Sequence, residues 1–264
     1  MEKLNFLNTV KGSLLENFYP KGWDLQKIDD CCDLGLDKLL NKAPHWNKNF
    51  TPEALDNLVD LEYHMGAEIA NEIIRAKEHN QKLAIILPVG PMGMYKHVVD
   101  LLKETQISCE HVHTFNMDEW SNQQGDTMDT SQDGAFELAM NKALFEPLGD
   151  LTIPKLQRNF ATKEALPQYE GKINAIKESG GKLVTVYGIG RACHIAFWEP
   201  QIGDEFETDA AWKAVPYRIG QALHPLTIEQ NSLHSFSSRF TLIPCWANTI
   251  GPGLFLQSDY CIGG

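Results

Sequence analysis

Residues 83–90, LAIILPVG, form an unbroken apolar run closed by a proline and a glycine. A strand with one wet face alternates polar and apolar residues, so a continuous run predicts a strand buried on both faces. Parallel sheets covered by helices demand this. KLVTVYGIG (182–190) reads the same way and ends in two glycines, HVHTFNMDEW (111–120) is an approximate strand with a polar end, and LFLQSDYCIGG (254–264) is a last one. Helical patterns lie between them: 51–80, opened by Thr51 as N-cap and Pro52 at the first helical position, then 94–105, 133–149 and 166–181. SRFTLIPCWAN (238–248) reads as irregular. Strands alternating with helices predict the α/β class, a three-layer α/β/α arrangement with a mostly parallel, Rossmann-like sheet.

The 264 residues suit one large α/β domain over 51–264, preceded by a helical extension over 1–50. In that extension Leu25, Ile28, Leu34, Leu36, Leu39 and Leu40 fall roughly on one helical face. It could cover a sheet edge or an oligomer interface, which keeps a homo-oligomer among the expectations. The net charge of −12 argues against nucleic acid or an anionic membrane as partner. It leaves room for an anionic small molecule held by backbone N–H groups and one or two cations. The first residues are charged and mixed rather than a secretory leader, and no apolar run approaches the ~20 residues of a membrane span. Six cysteines without CxxC spacing read as reduced thiols, so a cytoplasmic location is expected.

In open α/β sheets ligands bind beyond the carboxyl ends of the strands. Three segments lie at such ends: 88–91, 116–119, and 188–190 with 194–199. Adjacent carboxylates on an extended segment point to opposite sides, so one of Asp118 and Glu119 faces a cleft. That carboxylate is either a general base or merely a loop or helix-cap residue. His194 stands in an otherwise apolar stretch, as a packed core histidine, a metal ligand or an acid/base. Glu199 could orient its ring. No HxxxH or paired cysteines accompany it, and His111 with His113 lacks a third ligand, so no metal is expected. GIGRACH has His194 where GxGxxG has its last glycine, which does not support a dinucleotide site. Gly188 and Gly190 still allow the backbone to approach a ligand closely.

Taken together, these segments resemble the glucosamine-6-phosphate deaminase (isomerase) family from about residue 58 onward. LPVGPMGMYK resembles the family's LPTGSTPLGMYK, FNMDEW its FNMDEY, and GIGRACHIAFWEP its GIGPDGHIAFNEP, with RFTLIPCWANTIGPG a fainter match. The resemblance implies a hydrolase/isomerase of amino-sugar metabolism. His194, supported by Glu199, would help open the sugar ring. Asp118 would carry a proton between C2 and C1 before ammonia leaves C2. It implies no metal and no organic cofactor, and substrate contacts from Val89, Gly90, Gly188, Gly190, Arg191 and Arg239.

The sequence departs from that pattern in several places. Ala192-Cys193 replaces the family's Asp-Gly before the histidine, and the loop at Gly90 is two residues shorter. Trp198 replaces an asparagine, which predicts bulk beside the site. The family's phosphate-binding arginine matches Asn231-Ser232-Leu233 by spacing but Arg239 by local motif, and its phosphate-binding lysine would follow beyond Gly264. Arg218 matches an arginine of an allosteric phosphate site in some members, but Gly220 stands where they have lysine, so no allostery is expected. Two alternatives stay open: a lactone hydrolase of the 6-phosphogluconolactonase type, and a weak or inactive homologue that binds a sugar phosphate as a sensor.

Overall fold

The computed structural model describes residues 5–44 and 46–264, and of Leu39 the backbone alone. The expectation that the Leu39 side chain joins an apolar helical face therefore lies outside the described residues. The chain divides into two units, Met1–Asp60 and Leu61–Gly264. In the first, α1 (Leu25–Cys32) starts at Asp24, whose carboxylate accepts the Lys27 N–H at 3.0 Å. Such a cap satisfies one of the N–H groups left unpaired at a helix start. α2 (Leu36–Leu40) begins after a break at residues 33–35, so the leucines expected on one face are split between two short helices.

The long helix expected from Thr51 begins later, as α3 (Leu58–Glu78). Asn57, not Thr51, caps its first turn: Asn57 Oδ1 accepts the Asp60 N–H at 3.0 Å. The second unit then runs through β1 (Leu83–Leu87), α4 (Gly93–Glu104), β2 (Val112–Asn116) and β3 (Asp118–Ser121). It continues with α5 (Phe136–Met140, extended by a π-helical turn over Asn141–Phe145), β4 (Arg158–Asn159), α6 (Tyr169–Glu178) and β5 (Lys182–Tyr187). α7 (Asp209–Lys213), β6 (Tyr217–Ala222), α8 (Pro225–Ser235), β7 (Trp246–Ile250), α9 (Pro252–Phe255) and β8 (Tyr260–Gly263) complete it.

All five residues of β1 are buried, as its apolar run predicts. Leu83, Ile85 and Leu87 pack on one side with Met65, Ile69 and Ile73 of α3 and Met94, Val98 and Leu102 of α4. Ala84 and Ile86 pack on the other with Tyr169, Ile173 and Ile176 of α6 and Leu254 of α9. The period of two thus feeds two separate cores, and each fully buried leucine or isoleucine contributes roughly 1.5–3 kcal/mol. Gly66 lets α3 close on α4, since a Cβ there would stand 2.6 Å from the Met94 carbonyl oxygen.

Among the described residues, the parallel sheet has the order β4-β2-β1-β5-β8. This is the three-layer α/β/α arrangement with a mostly parallel sheet. The segment 111–120 is not one strand. It breaks at Met117, and β3 leaves for a smaller antiparallel sheet of order β3-β7-β6. The end of the segment read as irregular opens β7 in that second sheet. The last strand is likewise shorter than expected, because residues 252–255 turn helical as α9 before β8 forms. From β1 the chain passes to β2 on one side and later returns with β5 on the other. The crevice beyond the carboxyl ends of β1 and β5 is therefore the switch point where such sheets bind ligands. No helix of the described residues is long and apolar enough to cross a membrane.

Candidate active site

The switch point holds a cavity of ≈ 390 Å³. The segments predicted from the three strand ends meet in it: 88–91 after β1, Met117 and Asp118 after β2, and 188–190 with His194 after β5. Gln230, Asn231, His234 and Ser235 of α8 form the facing wall. These positions fall on one stripe of a helix with 3.6 residues per turn.

Asp118 owes its place to the break between the two sheets. The Met117 N–H donates to Leu87 O at 3.0 Å, and Met117 O accepts from Ile250 N–H at 2.8 Å, so this residue belongs to both ladders. Asp118 then opens β3 opposite Thr249 and is buried, facing the cavity. Burial pushes its carboxyl well above the usual carboxylate range, the charge of Glu119 raises it further, and the Phe197 backbone offsets part of this. Glu119 points the opposite way, as strand alternation requires. It accepts the N–H groups of Trp120, Phe136 and Glu137 at 2.9–3.0 Å, two of them from the start of α5. Burial raises its carboxyl to about 7 despite these bonds.

His194 sits in a turn, not at a helix start. The Cys193 N–H donates to Gly190 O at 2.8 Å and the Gly190 N–H to His194 O at 2.9 Å. Cys193 and Ala196 hold positive φ of 56° and 54° to make the turn, each costing about 1–2 kcal/mol for a residue with a Cβ. A Cβ on Gly190 would stand 2.1 Å from His194 Nε2, so a glycine is needed there because the ring occupies its side-chain space. His194 Nδ1 lies 3.0 Å from Glu199 Oε2, and the two side chains are 8% and 0% exposed. Glu199 Oε1 accepts the His224 N–H at 3.0 Å, and the His224 ring caps α8 by accepting the Leu226 N–H. With a carboxylate on Nδ1, the proton resides there, and Nε2 is left as the basic nitrogen.

Val89, Gly90, Gly188 and Gly190 thus line one cavity with Asp118 and His194, and Glu199 stands directly behind His194. Arg191 stays outside the lining: it donates to Gln230 Oε1 at 3.4 Å and stands 3.9 Å from Glu229. Arg239 is exposed in the turn after α8 and does not line the cavity. Trp198 is buried away from it, against Gly251 and Trp212, which corrects the expected bulk beside the site. His111 is occupied with Ile73 O at 2.9 Å. Sequence reasoning missed two groups. Tyr95 and Tyr169 are buried phenols that hold strand ends, Tyr95 on Pro88 O (2.6 Å) and Tyr169 on Asn116 O (3.2 Å) and Asn159 O (2.9 Å). It also missed the wall residues Gln230, His234 and Ser235; their polar spacing on α8 was the available signal.

The arrangement offers two groups able to move protons on opposite parts of one small ligand, a buried carboxylate and a carboxylate-backed imidazole. No protein-family model matches the chain. Glucosamine-6-phosphate deaminase of Clostridium botulinum (strain Alaska E43) is 32% identical over 158 residues, covering 57% of this chain and 60% of that relative. That of Caenorhabditis elegans is 32% identical over 186 residues, 69% of this chain and 63% of the relative. The chain thus spans only about 60% of the length of the first of these relatives. That of Clostridium acetobutylicum is 30% identical over 190 residues, 72% of this chain and 71% of the relative. Among solved structures, a monomeric glucosamine-6-phosphate deaminase superposes with a TM-score of 0.63 at 19% identity over 79% of each chain. A 6-phosphogluconolactonase from Leishmania guyanensis gives 0.54 at 14% identity over 81% of each. These two establish a shared fold and no more. Identity over more than two thirds of the Clostridium acetobutylicum relative decides the matter: the chain belongs to the glucosamine-6-phosphate deaminase family.

Proposed function

We propose that the protein is an amino-sugar-phosphate deaminase/isomerase acting on a 2-amino-2-deoxyhexose 6-phosphate. The observation that carries this is Asp118 and His194, the latter backed by Glu199, facing one cavity. His194 takes the anomeric hydroxyl proton on Nε2 and returns a proton to the ring oxygen, which opens the ring. Glu199 stabilises the imidazolium formed in between. Asp118, ionised, removes the proton from C2 of the open aldehyde and delivers it to C1. The resulting C2 imine takes up water and releases ammonia, leaving a ketose phosphate. Proton transfer α to a carbonyl needs positioned acids and bases in a pocket that excludes water. Both Asp118 and Glu199 are buried.

A lactone hydrolase would need only a base to activate water, which the His194–Glu199 pair alone could supply. Asp118 in the same cavity favours the deaminase. The net charge of −12 supports a small-molecule partner over nucleic acid. The six cysteines, all free among the described residues, support a cytoplasmic setting. The test is an assay in heavy water with glucosamine 6-phosphate and galactosamine 6-phosphate in parallel. Deuterium at C1 or C2 with ammonia release on either sugar is expected. Exchange without ammonia would make it an isomerase alone, and binding without exchange would favour the sensor.

A further inference from the structure

Among the described residues lining the cavity, none is a lysine or an arginine. Its titratable side chains are Asp118, His194 and His234. Asp118 repels an anion whenever it is ionised for work as a base. His194 faces the fully buried Glu199, so any positive charge it gains is offset at once. His234 differs from both. It is exposed in the last turn of α8 and makes no hydrogen bond or ion pair with another described residue.

The rest of that wall is polar and uncharged. Asn231 gives its amide nitrogen to Thr227 O at 2.9 Å, which leaves Oδ1 to accept from a sugar hydroxyl. Gln230 takes Arg191 on Oε1, which leaves its NH₂ to donate. Ser235 adds a hydroxyl. A phosphate dianion brought into such a cavity without a cation would pay a large desolvation penalty. A protonated imidazole supplies a positive charge and two N–H donors, and the last turn of a helix favours that charge. The charged and titratable groups around this wall include Asp118 and His194 across the cavity, Glu229 with Arg191 at the rim, Glu199 and His224 at the start of α8, and Arg239 in the following turn.

We propose that His234 is the specificity-determining residue that receives the anionic end of the substrate, its protonated imidazole serving as the cavity's cation. This rests on the sugar-phosphate reading above.

The test uses the full chain and sulfate as the anionic probe. Sulfate affinity is measured by calorimetry at one fixed pH for wild type, His234→Gln and His234→Arg. His234→Gln should bind roughly tenfold or more weakly than wild type, as expected for the loss of one charge-assisted hydrogen bond, and His234→Arg at least as tightly as wild type. In turnover, His234→Gln should raise KM for glucosamine 6-phosphate by a larger factor than it lowers kcat. Sulfate binding that is indifferent to His234→Gln, or lost equally in His234→Arg, overturns the proposal. His234-dependent sulfate binding with no turnover on any amino sugar overturns the deaminase reading and leaves His234 as an anion site.

Discussion

Gly190 and Cys193 carry the backbone demands of the turn that holds His194. The imidazole of His194 fills the space where a side chain on Gly190 would stand, and the flanking positive φ angles leave the turn little freedom to give way. Gly190→Ala should therefore move the imidazole by the better part of an ångström and lower kcat/KM on the order of a hundredfold, while the melting temperature changes little. Near-wild-type turnover would show that the ring does not work from this position. Cys193 holds a left-handed conformation at φ 56°, where the family pattern has glycine. Cys193→Gly removes that strain and should stabilise the fold by ~1 kcal/mol, or about 2 °C in Tm for a chain of this size. A melting curve unchanged or shifted down would refute it. The residue-level pattern was partly readable: FNMDE and HIAFWEP named Asp118, His194 and Glu199. The wall formed by His234 was not, because polar spacing along α8 does not by itself say whether that side faces a cavity or solvent.

At the scale of elements, β3 and α5 explain how two adjacent carboxylates divide their work. Strand alternation sends Asp118 into the cavity and Glu119 onto the first N–H groups of α5. A carboxylate works as a base only when ionised, and burial first, then the Glu119 charge, raises the pKa of Asp118. The ionised fraction thus grows with rising pH through a range above the usual carboxylate value of about 4, and kcat/KM should fall as pH drops through that range. Glu119→Gln removes the second cause, so the acid limb of the pH–rate profile should move to lower pH. A limb that stays in place would mean that the titrating group is not Asp118. Elements were legible where hydrophobic pattern alone decides, as in β1, α4, α6 and β5. They were not where long-range pairing or a choice between caps decides. Nothing local in FNMDEW marks the change of sheet at Met117, which depends on β7 arriving from far along the chain. Thr51 and Asn57 are both of a type that caps helices, and the structure uses Asn57.

For the whole molecule, one parallel sheet and one antiparallel sheet share a seam at Met117, and the cavity opens beside it. The parallel sheet brings the glycine turn and the 88–91 loop together at the switch point between β1 and β5. The antiparallel sheet adds Asp118, and α8, tied to Glu199 through His224, closes the far wall. This topology was legible as a class from alternating strands and helices, whereas the second sheet was not, since β6 and β7 are half polar and lack the continuous apolar run of β1. We propose that Asp118 and His194 act on one substrate in one cavity, at different steps. The most direct measurement compares deuterium incorporation at C2 in Asp118→Asn and His194→Gln, using glucosamine 6-phosphate and an analogue that cannot close its ring. Asp118→Asn should abolish exchange on both compounds while binding persists, and His194→Gln should lose far more on the ring-closed sugar than on the open one. Wild-type-like exchange in Asp118→Asn, or equal losses on both compounds in His194→Gln, would contradict it.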